Sequence, residues 1–584
     1  MPQPDSARLG QLFYTGVSRF LVANENFVGA LVQASSRCAI HASEDIVDAY
    51  GLKLWARGQA ISERLLERLS SRQLRKPIEL CVYARDPVAV AGIAETAQEL
   101  IEASPDLRAL LLPRLPALLG LLRSYTPNPT ELMLWSVMRH GGRDMVDHAT
   151  LVCAVALASA QILDVHPDLF KPLMRAALLH DVGLLYLPAS LVSGTAPRER
   201  PQLREIHTHP DIGAQVVVEL AGCGTTVAHL VAASHERLDG HGYPRGLKAD
   251  DLSLPAQALL FAEAQVPLIG GSSNGLRRAA VAARLVPGEF PGALVNWVVQ
   301  CGATRPVEQV DDIDADAVVL DLQQMHSLLA GVARLLAAAP ARETTAVRVA
   351  AVPWQRSIDI LRQELCRCGV DSALADNGEI APQQDGELIE LAVLTQELLH
   401  RIRALRIAVE MEQADSPALA CSAMVIELIE ALRACEPLPE GEGAAKGSRS
   451  VLMPWSNLYS VGVAAIDEQH RVLVGLLNRL NEARDAARST AVMHEVLDAL
   501  VQYAGRHFAF EEALMHEHRY AGTAAHEAAH QRLAQRVGAM IAAQENGGQV
   551  SLRDLTVFLR QWLISHILHT DKELGKALNA RGVR

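Results

Sequence analysis

The stretch His507-Phe-Ala-Phe-Glu-Glu-Ala-Leu-Met-His-Glu-His-Arg-Tyr-Ala-Gly-Thr-Ala-Ala-His-Glu-Ala-Ala-His530 decides how the C-terminal part of this chain folds. His507 and Glu511 are four residues apart, and so are His526 and His530. On an α-helix that spacing places both members of a pair on one face, a turn apart. Helical periodicity runs through 464–485, 491–516, 522–545 and 551–577, so the two pairs belong to a four-helix bundle. His470 falls on the first helix, and His566 and Asp571 fall on the last. Together they supply five imidazoles and two carboxylates. Carboxylates can bridge two cations, and five nitrogens divide as three and two, which leaves one ion with an open position. A pair of irons suits that set, whereas zinc favours a closed four-ligand site.

The histidines of the whole chain are clustered in the same spirit. Of 21, nine lie between His140 and His241 and nine between His470 and His569, which is what two metal sites would produce. His140, His166, His229, His494, His516, His518 and His569 lack ligand spacing and are expected at the surface. In the second cluster the segments Val461-Gly-Val-Ala-Ala-Ile-Asp-Glu-Gln-His470, His507 to Met515, His526-x-x-x-His530 and Trp562-Leu-Ile-Ser-His566, with Asp571, carry a family pattern. Residues 451–584 resemble a bacterial hemerythrin domain. The resemblance implies a non-haem di-iron centre on His470, His507, Glu511, His526, His530, His566 and Asp571. It also implies O2 as ligand, in reversible binding or in redox sensing.

The first cluster is built differently. Ala176-Ala-Leu-Leu-His180-Asp181-Val-Gly follows an apolar helical run, with Asp144 and His148 upstream at helical spacing. Downstream stand His209-Pro-Asp-Ile-Gly213, then His235-Glu-Arg-Leu-Asp-Gly-His-Gly-Tyr-Pro-Arg-Gly-Leu247, then Glu263 on a further helix. This order resembles the HD superfamily, and more narrowly its HD-GYP branch, across about residues 130–270. The branch hydrolyses cyclic di-GMP through clustered metals, so the resemblance implies two or three iron or manganese ions. His148, His180, Asp181 and Glu263 match the ligands of a first ion. Asp181 would bridge to a second ion held with His209 and His235, and Asp144 matches the carboxylate associated with a third. His180 and Asp181 would form the catalytic core, where a metal-bridging water becomes hydroxide near neutral pH and attacks phosphorus.

The block departs from the branch in ways that bear on substrate. A phosphate-holding lysine is replaced by Leu184, one of two adjacent histidines by Ser234, and the late Asp ligand by Glu263. Arg175, Arg204, Arg237, Arg245 and Lys248 are the cations that could compensate. Arg237 and Tyr243 are the candidate substrate contacts, with Tyr243 either packing in its loop or donating a hydrogen bond. His207, two residues from His209, points elsewhere on a helix. His241 faces solvent, Asp239 and Gly240 shape the loop, and Gly242 allows a backbone conformation closed to other residues.

Composition bounds the remainder. The 584 residues are 49% hydrophobic and 21% charged, which excludes disorder for most of the chain and implies several domains. Only 4% are aromatic, and Ala, Leu and Val carry the apolar share, favouring packed helices. The net charge of -13 argues against DNA as a partner. No apolar run reaches membrane-spanning length, no signal peptide is visible, and nine unpatterned cysteines fit reduced thiols, so a cytoplasmic protein is expected.

The fold class read from these signals is all-α and multidomain. Residues 1–125 are a mostly helical region with a small strand-like stretch around Gly51, read as a docking or dimerising surface, so a homodimer is among the expected partners. Residues 126–340 form the HD-GYP-like domain, and 341–435 a helical extension. Within the extension Leu391, Leu394, Leu398, Ile402, Leu405 and Val409 form a stripe read as a buried face. The Pro- and Gly-rich 436–450 is a linker, and 451–584 is the four-helix bundle. Three functions fit this order: an oxygen-regulated cyclic di-GMP phosphodiesterase, a non-enzymatic oxygen-responsive signalling protein whose altered HD domain binds a nucleotide or partner, and iron or oxygen storage.

Overall fold

A computed structural model describes residues 20–69, 72–142, 144–193, 200–270, 274–306, 315–338, 343–367, 385–434, 455, 459–485, 490–545, 558–560, 562–564 and 566–584. The 436–450 linker lies outside them. The described residues gather into two compact units, 1–308 and 309–584. The boundary falls inside the block read as 126–340, because residues 315–434 cluster with the C-terminal unit. Helices dominate both units, and the described strands are confined to the N-terminal region.

The first unit is organised around two helices that are apolar on every side. Val146–Ile162 is buried almost throughout from Ala149 to Ala160, and Leu254–Gly270 is nearly as enclosed. A helix without a polar face must lie in the interior. These two helices pack on each other, with Phe170–Leu179 and Val90–Ala103 also against the first. The start of the first helix and the middle of the second carry His148 and Glu263 into the same layer.

Ahead of these helices stands a small mixed module. Ile40–Ala42 pairs antiparallel with Val82–Ala84. Ile46–Val47 pairs with Lys53–Trp55 across a turn in which Gly51 adopts a φ of 85°, a conformation that costs glycine nothing. Helix Glu25–Cys38 covers this module and also packs on Pro129–His140. A buried polar knot ties down the latter helix. Asn128 and Glu131 form a capping box, and Glu131 also receives the Tyr125 hydroxyl and a two-point bond from Arg175 at 2.9 Å.

The second unit contains helices Ala315–Ala338, Thr345–Arg367, Asp385–Asp415 and Ala423–Ala434, followed by the bundle helices Ala464–Asp485, Thr490–Glu517 and Thr523–Glu545. The stripe on Asp385–Asp415 is buried at Leu394, Leu398, Ile402, Leu405 and Val409, as a packed face requires. The last bundle helix loosens into a π-helical turn, Ile567–Asp571, before Lys572–Asn579. Among the described residues no helix is long and apolar enough to cross a membrane.

Candidate metal centres

In the first unit, six side chains from five places along the chain meet in two groups. His148, His180 and Glu263 form one, and Asp181, His209 and His235 the other. Glu263 Oε2 lies 2.9 Å from His148 Nε2 and 3.0 Å from His180 Nε2. Asp181 joins the groups: its Oδ2 stands 3.4 Å from His180 Nε2, while its Oδ1 stands 3.4 Å from His209 Nε2 and 3.9 Å from His235 Nε2.

Local structure aims these rings. The Nδ1 of His180 bonds the Ala177 carbonyl at 2.8 Å, and that of His209 bonds the Ile206 carbonyl at 2.7 Å. With Nδ1 committed to a carbonyl, Nε2 keeps its lone pair for the site. Gly183 is required between the two groups, because a methyl group there would overlap the His209 carbonyl. His235 is steadied by stacking on Tyr243 at 4.8 Å and 13°, and Tyr243 in turn stacks on His207 at 3.9 Å. The loop bearing Tyr243 is pinned by buried Glu236, which accepts from Arg245 N at 2.8 Å and Leu247 N at 2.9 Å.

These residues fit metal ions. His209 Nε2 and His235 Nε2 approach to 3.0 Å, two lone-pair nitrogens aimed at one point. His180 Nε2 is fully buried and makes no hydrogen bond. Burial alone would lower the His180 pKa, yet Asp181 and Glu263 push it up to about 10, and the same neighbours' carboxyls are held well below their usual range. A site that grips a proton this tightly in its interior is one where a cation can take the proton's place.

Several candidate residues lie apart from these groups. Helix Val146–Ile162 begins two residues after Asp144, so Asp144 and His148 share no helical face; the Asp144 carboxylate instead accepts from Val146 N at 3.0 Å and pairs with Arg139 at 2.8 Å. Ser234, two residues past the end of helix Thr225–Ala232, donates to the Val231 carbonyl. Arg237 has other partners: its Nε lies 3.3 Å from buried Glu289 and its guanidinium covers the Phe290 ring. Arg175 is spent on Glu131, and Arg245 on Asp211. Leu184 packs against the core. Gly242 does not have the positive φ expected of it; Gly240 and Gly246 do, at 85° and 62°, while a side chain at Gly242 would strike the Glu236 backbone.

In the second unit, two four-residue groups share Glu511. One comprises Glu511, His526, His530 and His566, the other His470, His507, Glu511 and Asp571. Asp571 also spans the two, with Oδ2 at 3.2 Å from His470 Nε2 and Oδ1 at 3.1 and 3.0 Å from His526 and His566. Both carboxylates are buried without hydrogen bonds, and His530 Nε2 meets His566 Nε2 at 3.0 Å. The arrangement suits a bridged pair of cations. Sequence reading missed the residues that aim these rings. His507 Nδ1 bonds Gln469 at 2.8 Å, and His530 Nδ1 bonds Glu512 at 3.0 Å. Phe508 stacks on His530 and Trp562 on His566. Their only sequence signal was adjacency to a ligand or the four-residue spacing of Trp562 and His566.

A family model described as the hemerythrin HHE cation binding domain matches residues 461–578. The chain is 35% identical over 129 residues to a bacteriohemerythrin of Stenotrophomonas maltophilia, which is 22% of this chain and 83% of that protein. The chain belongs to the hemerythrin family. Ahead of the hemerythrin module it carries an HD domain, matched over residues 136–283. The HD region is 31% identical over 110 residues to a cyclic di-GMP phosphodiesterase of Pseudomonas aeruginosa, 19% of this chain and 27% of that protein. It is 34% identical over 91 residues to a 3'3'-cGAMP-specific phosphodiesterase of Vibrio cholerae, 16% and 20% of the two lengths. The chain therefore spans less than a third of the length of these two phosphodiesterases. A hemerythrin module implies two irons and an HD domain implies divalent metals, and these four groups are where the chain could hold them.

Proposed function

We propose that this protein is a metal-dependent phosphodiesterase acting on a cyclic dinucleotide of the cyclic di-GMP class, with the hemerythrin module adjusting its turnover in response to oxygen. The observation that carries the reading is Asp181, whose two oxygens face two separate ligand groups. His148, His180 and Glu263 would hold one ion, His209 and His235 the other, and Asp181 both. Bound there, the ions supply Lewis acidity that lowers the pKa of water and offsets the charge of a phosphodiester. The chain's own part is to fix the spacing. Carbonyl-tethered His180 and His209 and the stacked His235 hold their nitrogens still, and the Glu236-pinned loop walls one side of the site. The similarity to two cyclic-dinucleotide phosphodiesterases supports the substrate class. Hydrolysis of cyclic di-GMP by manganese-loaded protein, absent in Asp181→Ala, is the direct test.

A second reading has a specific observation behind it. Arg175, Arg237 and Arg245, three of the cations that could stand in for the lysine replaced by Leu184, are committed to carboxylates. An HD domain short of phosphate-binding charge would bind its nucleotide without turning it over. Leu184→Lys with Ser234→His would then create turnover in an otherwise inactive protein. No gain would count against this reading.

A further inference from the structure

The N-terminal module converges on one residue beside the central site. Tyr186 closes the 3₁₀ turn Val182–Tyr186, which begins directly after Asp181. Its carbonyl accepts from Asn24 Nδ2 and from Asn26 Nδ2, both at 3.2 Å. Its ring stacks on Phe27 at 5.0 Å and 16°, with Phe20 edge-on at 6.0 Å. Its hydroxyl donates to Glu79 Oε1 at 3.0 Å. Glu79 is buried on the turn Ile78–Leu80, and its other oxygen makes no hydrogen bond. A half-satisfied buried carboxyl weakens a fold, so packing alone does not account for it.

The same turn seats the second ligand group. Leu184 N donates to the Asp181 carbonyl at 2.9 Å, and Gly183 lies directly against the His209 carbonyl. Helix His209–Gln215 packs on the turn, as helix Glu25–Cys38 does on its other side. A shift of the turn would therefore move Asp181 relative to His209. The group of His148, His180 and Glu263 rests mainly on the two central helices and on Phe170–Leu179.

We propose that residues 20–84 are a positioning clamp for the Asp181, His209 and His235 group, acting through Tyr186. The inference rests on the reading that this group holds a metal ion, and it does not depend on the substrate. The test is a manganese titration of metal-stripped, full-length protein, followed by electron paramagnetic resonance. His235→Ala identifies the binding step that belongs to this group. Asn26→Ala and Glu79→Leu are expected to weaken that step by about 10-fold while the steps that belong to the hemerythrin ligands stay within about twofold. Glu79→Gln keeps an acceptor for the Tyr186 hydroxyl and should restore it. Asn26→Ala leaves the Asn24 helix cap in place, so folding is retained in at least one variant. Equal weakening of every step would overturn the clamp, and so would a lower melting temperature with that step unchanged. A wild type with no step sensitive to His235→Ala would overturn it as well. Because turnover is not read, failure of the phosphodiesterase proposal would appear separately, as metal uptake without hydrolysis.

Discussion

Asp181 reaches both halves of the central site, so its removal should cost more than the loss of any one histidine. Asp181→Ala is expected to lower manganese stoichiometry and to reduce turnover by at least about 100-fold, while His148→Ala should spare the His209–His235 group; metal analysis beside an activity assay checks both. Glu131 has a structural part. Burial alone would push its carboxyl up, but Arg175 and the Asn128 amide hold it below its usual range. Glu131→Ala leaves the Arg175 charge without its carboxylate and the Tyr125 hydroxyl without its acceptor, and should destabilise the first unit by about 3 kcal/mol in urea denaturation. Glu79 behaves oppositely, since burial pushes its carboxyl up to about 7. Its folded pKa lies above the unfolded value of about 4.3, so its support is full below that pH and is lost as pH rises through about 7. Hydrogen-exchange protection of residues 20–84 should fall across that window, and Glu79→Gln should flatten the decline. At this scale the ligand types and helical spacings were legible in the sequence. The surroundings of Asp144 and Arg237 were not legible, because one depends on where a helix begins and the other on a carboxylate, Glu289, remote in the chain.

Two kinds of element build the central site: helices that are buried all round, and tight turns that need glycine. The apolar run Leu151–Ala160, too short for a membrane, is the middle of a central helix. The contact between the turn Val182–Tyr186 and helix His209–Gln215 was not legible, since nothing in a His-Asp-Val-Gly string announces which backbone will lie against the glycine. That contact yields a sharp expectation. Gly183→Ala places a methyl group into the His209 carbonyl, so the helix must move and the Asp181–His209 spacing must open. Loss of one metal equivalent and about 2 kcal/mol of stability should follow, measurable by metal analysis and urea unfolding. Gly51→Ala should cost about 1 kcal/mol through backbone strain alone and leave metal content unchanged. The Tyr243 loop makes a similar point. Its sequence pattern was recognisable, but Glu236 as its anchor and Gly242 as a close approach emerge only when the backbone folds back on itself.

For the molecule as a whole, a hemerythrin module joined to an HD domain makes sense if oxygen changes what the HD domain does. Regulation of that kind requires oxygen to bind two states of the protein with different affinity, and coupling of this type ordinarily amounts to about 5–150-fold. The helices between Ala315 and Ala434 cluster with the hemerythrin module, so that unit is larger than its ligand bundle alone. The most direct measurement is cyclic di-GMP hydrolysis by iron-loaded full-length protein prepared without oxygen, repeated on the same sample after exposure to air. The account predicts turnover in at least one condition and a difference of about fivefold or more between the two. Equal turnover in both would leave the enzyme and remove the oxygen control. No turnover in either, with metal confirmed at His148, His180, Asp181, His209, His235 and Glu263, would contradict the account.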